Sequence, residues 1–234
     1  MSREHPILFS APMVRAILAG TKTQTRRAVK PQPIQATTHI GTFHHPDDDD
    51  GRGPRFWSCG PDPMNPGHSY IQPDWAIPCP YGQPGDRLWV REAWQSLHNQ
   101  NGERLDGLDD WKKHSRECFY RADESDPRTR PMSGRWRPSI HMPRWASRIT
   151  LEIAGVRVER LQDISVADAI AEGIEPTMPN PGHWNWRDYL ADGMQTHAVL
   201  SYKTLWESIN GRGSWDANPW VWVVEFQPLK GGAA

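Results

Sequence analysis

Residues Pro12 to Arg27 read PMVRAILAGTKTQTRR, and the change of character halfway along this stretch decides the fold. Met13, Val14, Ile17 and Leu18 recur at helical spacing, so one face of a short helix packs on a core. Gly20 ends it, because glycine tolerates the positive φ that closes a helix. The chain continues as Thr21-Lys22-Thr23-Gln24-Thr25-Arg26-Arg27. Alternating Thr favours a strand, yet both faces of that strand are polar. Two readings stay open: a solvated edge strand, or a strand that serves a site for an anionic or hydrogen-bonding ligand.

Outward from this stretch, three further segments gather around the same core. Gly85 to Trp94, GDRLWVREAW, gives a turn at Gly85-Asp86 and a short strand through Leu88, Trp89 and Val90. Between Trp145 and Ile174, Ile149, Leu151 and Ile153 alternate, and Val156 and Val158 then alternate in the opposite parity. A β-bulge at Ala154-Gly155 absorbs that switch and bends the strand. The helix that follows is capped by Ser165, with Asp168 three residues on, Val166 and Ile170 sharing a face, and Gly173 as its stop. In the last segment Val199, Tyr202, Leu205, Trp206 and Ile209 form a helical stripe that ends at Asn210-Gly211. Trp220 to Phe226 is apolar on both faces except at Glu225, the pattern of a central strand or a barrel stave. The core segments are thus 7–30, 85–95, 145–175 and 199–228 of a single domain spanning 1–234.

Two insertions interrupt these segments. Residues 31–84 hold half of the chain's 22 Pro and the acidic run Asp47 to Asp50. No periodicity survives there, so the expectation is a loop excursion, partly ordered by Phe56, Trp57, Trp75 and Tyr81. Residues 97–144 form the second insertion.

Composition narrows the class. At 234 residues the chain can bury a sizeable core. Its formal net charge is -1, so no global basic field draws in nucleic acid, and any such binding uses a local patch. Three Cys make no disulfide framework, and neither a signal peptide nor an apolar span is visible. A reducing cytoplasm, with no membrane contact, is the simplest setting. The 13 Trp stand out against 5 Phe and 5 Tyr. Trp buries a large area and also stacks on bases, and most of these are expected in the core.

In their order along the chain, ILAGTKTQTRR, GDRLWVREAW, the bulged strand with AIAEGI, and the closing Trp-Val strand resemble an ASCH domain. That family has a small β-barrel fold related to the PUA domains of RNA-modifying enzymes. The resemblance implies an α+β, PUA-like, mixed but largely antiparallel β-barrel with flanking helices, and two long Pro-rich insertions outside it. The insertions make the chain similar to the longer, phage- or prophage-associated members. One fold hosts many functions, and this resemblance implies nucleic-acid or nucleoside chemistry. Some small ASCH proteins carry a Lys-x-x-Thr and a later Glu and hydrolyse N4-acetylcytidine. Others are described as ribonucleases and many are taken to be RNA binders, so the alternatives are a non-catalytic reader of RNA or modified DNA and, after it, a ribonuclease. By motif, Lys22 and Thr25 match the Lys-x-x-Thr, and Glu172 in AIAEGI matches the Glu. The implied partner is a modified nucleoside or single-stranded RNA or DNA, with no cofactor.

The residues themselves bear on this chemistry. Amide hydrolysis needs a nucleophile, a proton acceptor and a group that protonates the departing amine. Thr25 supplies a hydroxyl that attacks or orients water. Lys22, if desolvated or beside Arg26, gains a lowered pKa and serves as base. Glu172 would be the acid, since its place in the last turn of a helix sets its charge against the macrodipole. The alternative is a solvent-exposed Glu in a helix-forming slot. Residues three apart on a flat strand point to opposite faces. Lys22 and Thr25 therefore converge only if Lys22 belongs to the turn after Gly20, or if the strand twists sharply.

A second candidate surface is Arg116 to Arg148, with eight Arg, no Lys, and Trp136 and Trp145 interleaved. It reads either as a phosphate-backbone clamp with stacking platforms or as Arg stems packed over Trp faces in structural cation–π pairs. The candidate contacts to substrate or nucleic acid are Arg26, Arg27, Arg91, Trp136, Arg144, Trp145 and Arg148. Cys59, Cys79 and Cys118 with ten His lack the paired spacing of a zinc site, so no metal is expected. No phosphate-binding Gly loop, GxSxG elbow or HExxH is present, which argues against nucleotide hydrolases, serine hydrolases and zincins.

Overall fold

The computed structural model describes residues 2–33, 39–43, 55–61, 69–96, 118–123, 136–180 and 183–229. The run Asp47 to Asp50, Arg116, and the side chains of Trp57, Cys59 and Trp75 lie outside what is described.

The elements of the core are β1 (Glu4–Leu8), α1 (Ala11–Leu18) and β2 (Gln24–Ala28). The first insertion adds β3 (His39–Phe43), β4 (Arg55–Pro61) and β5 (Ser69–Pro78). Then come β6 (Arg87–Arg91), β7 (Trp94–Ser96), β8 (Cys118–Tyr120) and β9 (Thr150–Arg160). The chain ends with α2 (Val166–Ala171), β10 (Pro176–Asn180), β11 (His183–Arg187), β12 (Met194–Gln195), α3 (Ala198–Asn210) and β13 (Trp220–Pro228).

One five-stranded sheet, in the order β1-β6-β9-β13-β2, joins the strands read from Leu88 to Val90, Leu151 to Val158 and Trp220 to Phe226. Only the β1–β6 pair is parallel within it. The strand β13 is central because its side chains bury on both faces: Val221, Trp222, Val223 and Val224 are all in the core. The bulge falls where the parity switch puts it. Glu225 pairs with Gly155 and Phe226 with Ile153, so Ala154 is the extra residue.

The fold is thus mixed α+β with a mostly antiparallel sheet. The closed barrel implied by the resemblance is not seen: among the described residues the backbone ladder stays open, with β1 and β2 at its edges. Arg27 reaches across those edges, its Nη2 donating to the Leu8 carbonyl at 2.5 Å.

Several local expectations need correction. The first insertion is no bare loop, because β3, β4 and β5 form a three-stranded antiparallel sheet. It seats on the core through buried Ile40 and Phe56, the latter edge-on to Trp222 with ring centroids 4.8 Å apart. In α1, Met13, Val14 and Ile17 are buried as expected, but Leu18 is exposed. The capping box at Ser165 and Asp168 is present. Val166 and Ile170, however, face solvent, and Ala169 is the buried residue of α2. Six residues give α2 room for only one buried position, and the small Ala fills it. Of the Trp residues, Trp94, Trp206, Trp215, Trp220 and Trp222 are core, while Trp145 is 56% exposed. No helix among the described residues is long and apolar enough to cross a membrane.

Candidate active site

The turn after Gly20 places Lys22. Gly20 takes φ +73°, and the amides of Thr21 and Lys22 both donate to the Ala16 carbonyl. Lys22 therefore precedes β2 and pairs with the end of α2 instead. Lys22 and Glu172 form an isolated antiparallel bridge, and the Thr23 amide donates to the Ala171 carbonyl at 2.9 Å. This resolves the geometric tension between Lys22 and Thr25, since only Thr25 lies on the strand.

The two motif strings meet through side chains as well. Lys22 Nζ donates to the Glu172 carbonyl at 2.7 Å and to Glu172 Oε2 at 2.9 Å. Arg26 Nη1 donates to the other carboxylate oxygen, Oε1, at 3.1 Å. Lys22 is only 2% exposed and Glu172 3%, so the solvent-exposed alternative for Glu172 fails. The solvated-edge reading of the strand fails too, because Gln24, Thr25 and Arg26 are all buried.

A ring of further carboxylates holds Arg26. Its Nε donates to Glu159 Oε1 at 3.1 Å, and its Nη2 lies 3.4 Å from Asp168 Oδ2. Gln24 donates to Asp168 Oδ1 at 3.0 Å, and Arg157 bridges Glu159, Asp168 and Glu225. Burial works against ionised Asp168, but hydrogen bonds from Ser165 and Gln24 and the charges of Arg26 and Arg157 outweigh it and hold the carboxyl at about 2.

Lys22 is the chemically unusual group. Burial pushes its ammonium below the ordinary lysine value, further helped by Arg27 and Arg26, and the adjacent Glu172 offsets this only in part. Burial, with the Glu172 charge added, pushes the Tyr202 phenol well above its usual value, so it stays neutral.

These groups open on one cavity of about 320 Å³, lined by Lys22, Thr25, Arg26, Arg27 and Glu172 together with Phe9, Tyr202 and Trp206. That volume is in the range where ligand sites begin, about 300 Å³. Five of the residues singled out in the sequence thus come together. Arg91, Trp136, Arg144, Trp145 and Arg148 do not line it. Arg144 pairs with Glu4 at 2.9 Å, and Arg148 with Glu92 at 3.0 Å and Asp123 at 2.6 Å. Arg91 donates to the Ile140 carbonyl and, like Arg144, lies over the Trp89 ring. Arg137 covers Trp94, and Arg148 covers Tyr120 at 4.0 Å. Of this stretch, Arg137, Arg144 and Arg148 therefore sit in cation–π or ion pairs. Trp136 is half-buried, and Trp145 packs edge-on to Trp94. Cys79 and Cys118 are free thiols, and burial pushes the Cys79 thiol up to about 12 against two backbone hydrogen bonds.

Sequence reading missed the second role of Gly173, which seats the lysine as well as stopping the helix. It takes φ +79°, and a Cβ there would stand 2.8 Å from Lys22 Cβ and 2.9 Å from Ala16 Cβ. Gly173→Ala is expected to cost about 1–3 kcal/mol through overpacking and to displace Lys22 from Glu172. Thermal melting checks the first effect and loss of ligand binding the second. Tyr202 and Trp206 were legible only as a helical stripe, since the same apolar spacing serves core and cavity wall alike.

Neither protein-family models, nor the curated proteins, nor the solved structures yield a match to this chain.

Proposed function

We propose that this protein is a hydrolase that removes the acyl group from the exocyclic amine of an N4-acylated cytidine, on a PUA-like scaffold in the cytoplasm. The observation that carries the reading is the convergence of Lys22, Thr25 and Glu172 on one aromatic-walled cavity. The resemblance of ILAGTKTQTRR and AIAEGI to the small ASCH hydrolases supports it from the sequence.

The chemistry follows from the 2.9 Å bond between Lys22 Nζ and Glu172 Oε2. At the start of turnover a proton moves across that bond and turns ammonium and carboxylate into amine and carboxylic acid. The Lys22 amine then takes a proton from water held by Thr25, or from the Thr25 hydroxyl itself. The oxygen adds to the acyl carbon, and the bond from that carbon to N4 breaks. Glu172 delivers its proton to N4, so cytidine leaves, and the resting ion pair is restored. If Thr25 attacks, its acyl ester is hydrolysed by water in a second round. Arg26 keeps Glu172 in position throughout, and Phe9, Tyr202 and Trp206 offer surfaces on which a pyrimidine stacks.

Incubation of the protein with N4-acetylcytidine, followed by chromatography, should show cytidine and acetate appearing together. Labelled single-stranded RNA should stay intact and bind weakly. Shortening of the RNA would instead identify a nuclease. Tight, salt-sensitive RNA binding without turnover of any acyl-nucleoside would identify a non-catalytic reader.

A further inference from the structure

The cations at the cavity are not equally matched. Arg26 has Glu159, Asp168 and Glu172 around it, and Lys22 has Glu172. Arg27 also lines the cavity, yet no carboxylate pairs with it among the described residues. Its Nη2 is taken up by the Leu8 carbonyl, and its Nε is buried with no hydrogen-bond partner. Arg27 and Lys22 lie against the same ring, their charged ends 5.3 Å and 5.7 Å from the centre of Phe9. Glu172 is the single carboxylate among the lining residues that faces these charges.

Trp206 adds a second unmet donor. It lines the cavity, is 4% exposed, and its indole N–H has no acceptor among the described residues. Both N–H groups are closed off from solvent, so what the cavity presents to a ligand is the charge of Arg27, unmatched by any carboxylate among the described residues. A neutral nucleoside answers this poorly, whereas a phosphate brings negative charge and several acceptor oxygens. Its geometry also matches the planar fork of an arginine.

We infer that the ligand of this cavity carries a phosphate seated against Arg27, so that the site takes a nucleotide in preference to a free nucleoside. This rests on the nucleoside reading given above and narrows it. The phosphate belongs either to a mononucleotide or to the backbone of a strand, and the two sources offer Arg27 the same oxygens.

The test is a calorimetric titration that needs no turnover. Cytidine, cytidine 5′-monophosphate and a single-stranded RNA tetramer are titrated into the wild-type protein at low and high salt. The monophosphate should bind at least about tenfold more tightly than cytidine at low salt, and the gap should shrink at high salt, as a charge-driven contact requires. Arg27→Met should bring the two ligands within about twofold of each other, and Arg27→Lys should restore part of the difference. Melting curves establish that both variants are folded. A tetramer no tighter than the monophosphate assigns the phosphate to a free nucleotide. A tetramer that is tighter, in a manner dependent on Arg27, assigns it to a strand. Equal affinity for cytidine and its monophosphate overturns the inference, as does a preference that survives in Arg27→Met or binding of neither ligand. A phosphate preference without turnover of any acylated substrate would leave this inference standing and sink the hydrolase reading alone.

Discussion

Glu172→Gln should be among the most damaging single changes in this protein. Among the described residues Glu172 is the one carboxylate paired with Lys22, and it accepts from Arg26 as well. The amide has no charge to offset either cation. Arg26 keeps Glu159 and Asp168, but Lys22 is left buried with neutral oxygens of residue 172 as acceptors and no countercharge among the described residues. Removing one partner of a buried ion pair costs about 3–5 kcal/mol, because the other charge stays desolvated. For a chain of this size that corresponds to a melting temperature lower by roughly 10 °C. A variant that melts within two degrees or so of wild type would show that the pair is not held as described.

Lys22→Met should have the opposite balance, with a milder effect on stability and a severe one on turnover. It leaves Glu172 with Arg26, whose Nη1 lies 3.1 Å from the carboxylate, and it removes a group whose charge burial opposes. Stability should therefore fall by less than in Glu172→Gln. The double variant should be more stable than Glu172→Gln alone, which a double-mutant cycle reads directly. Turnover should drop on the order of a hundredfold or more, the usual loss when a general base is removed. The sign of the pH dependence follows from the direction of the shift. The active form holds one proton between Lys22 and Glu172, as the resting ion pair does, so the rate falls as pH rises through the lysine value, which burial sets below the ordinary one of about 10.4. A rate that holds or climbs beyond that value, or a Lys22→Met variant as active as wild type, would remove Lys22 from the base role.

The strands and the bulge were legible because they depend on local pattern. The parity switch across Ala154-Gly155 names the bulge, and the two-sided apolar run from Trp220 names the central strand. The sheet of the first insertion was hidden by its prolines. Pro73 lies in β5, where the pairing with β4 jumps from Trp57–Ala76 to Cys59–Ile71, and a proline cannot donate to such a ladder. That break erased the alternation that would have marked the strands. Within the site, the residue types of Lys22, Thr25 and Glu172 were visible, as was the need for Lys22 to sit in the turn. The ion pair itself was not, because 150 positions separate Lys22 from Glu172 and no local spacing reports on a contact that distant. The arginine-rich stretch stayed ambiguous for the same reason. Its composition fits a clamp, but the carboxylates that engage Arg144 and Arg148 include Glu4 and Glu92, from other parts of the chain.

The most direct measurement is the rate of cytidine release from N4-acetylcytidine by wild type and by Thr25→Ala, with both proteins shown to melt alike. Thr25 carries no charge and has no ion-pair role, so its loss separates chemistry from folding. Release by wild type, with a fall on the order of a hundredfold or more in Thr25→Ala, is the predicted result. Equal release by the two proteins, or none by wild type, would contradict the assignment of this cavity as a cytidine-deacylating active site.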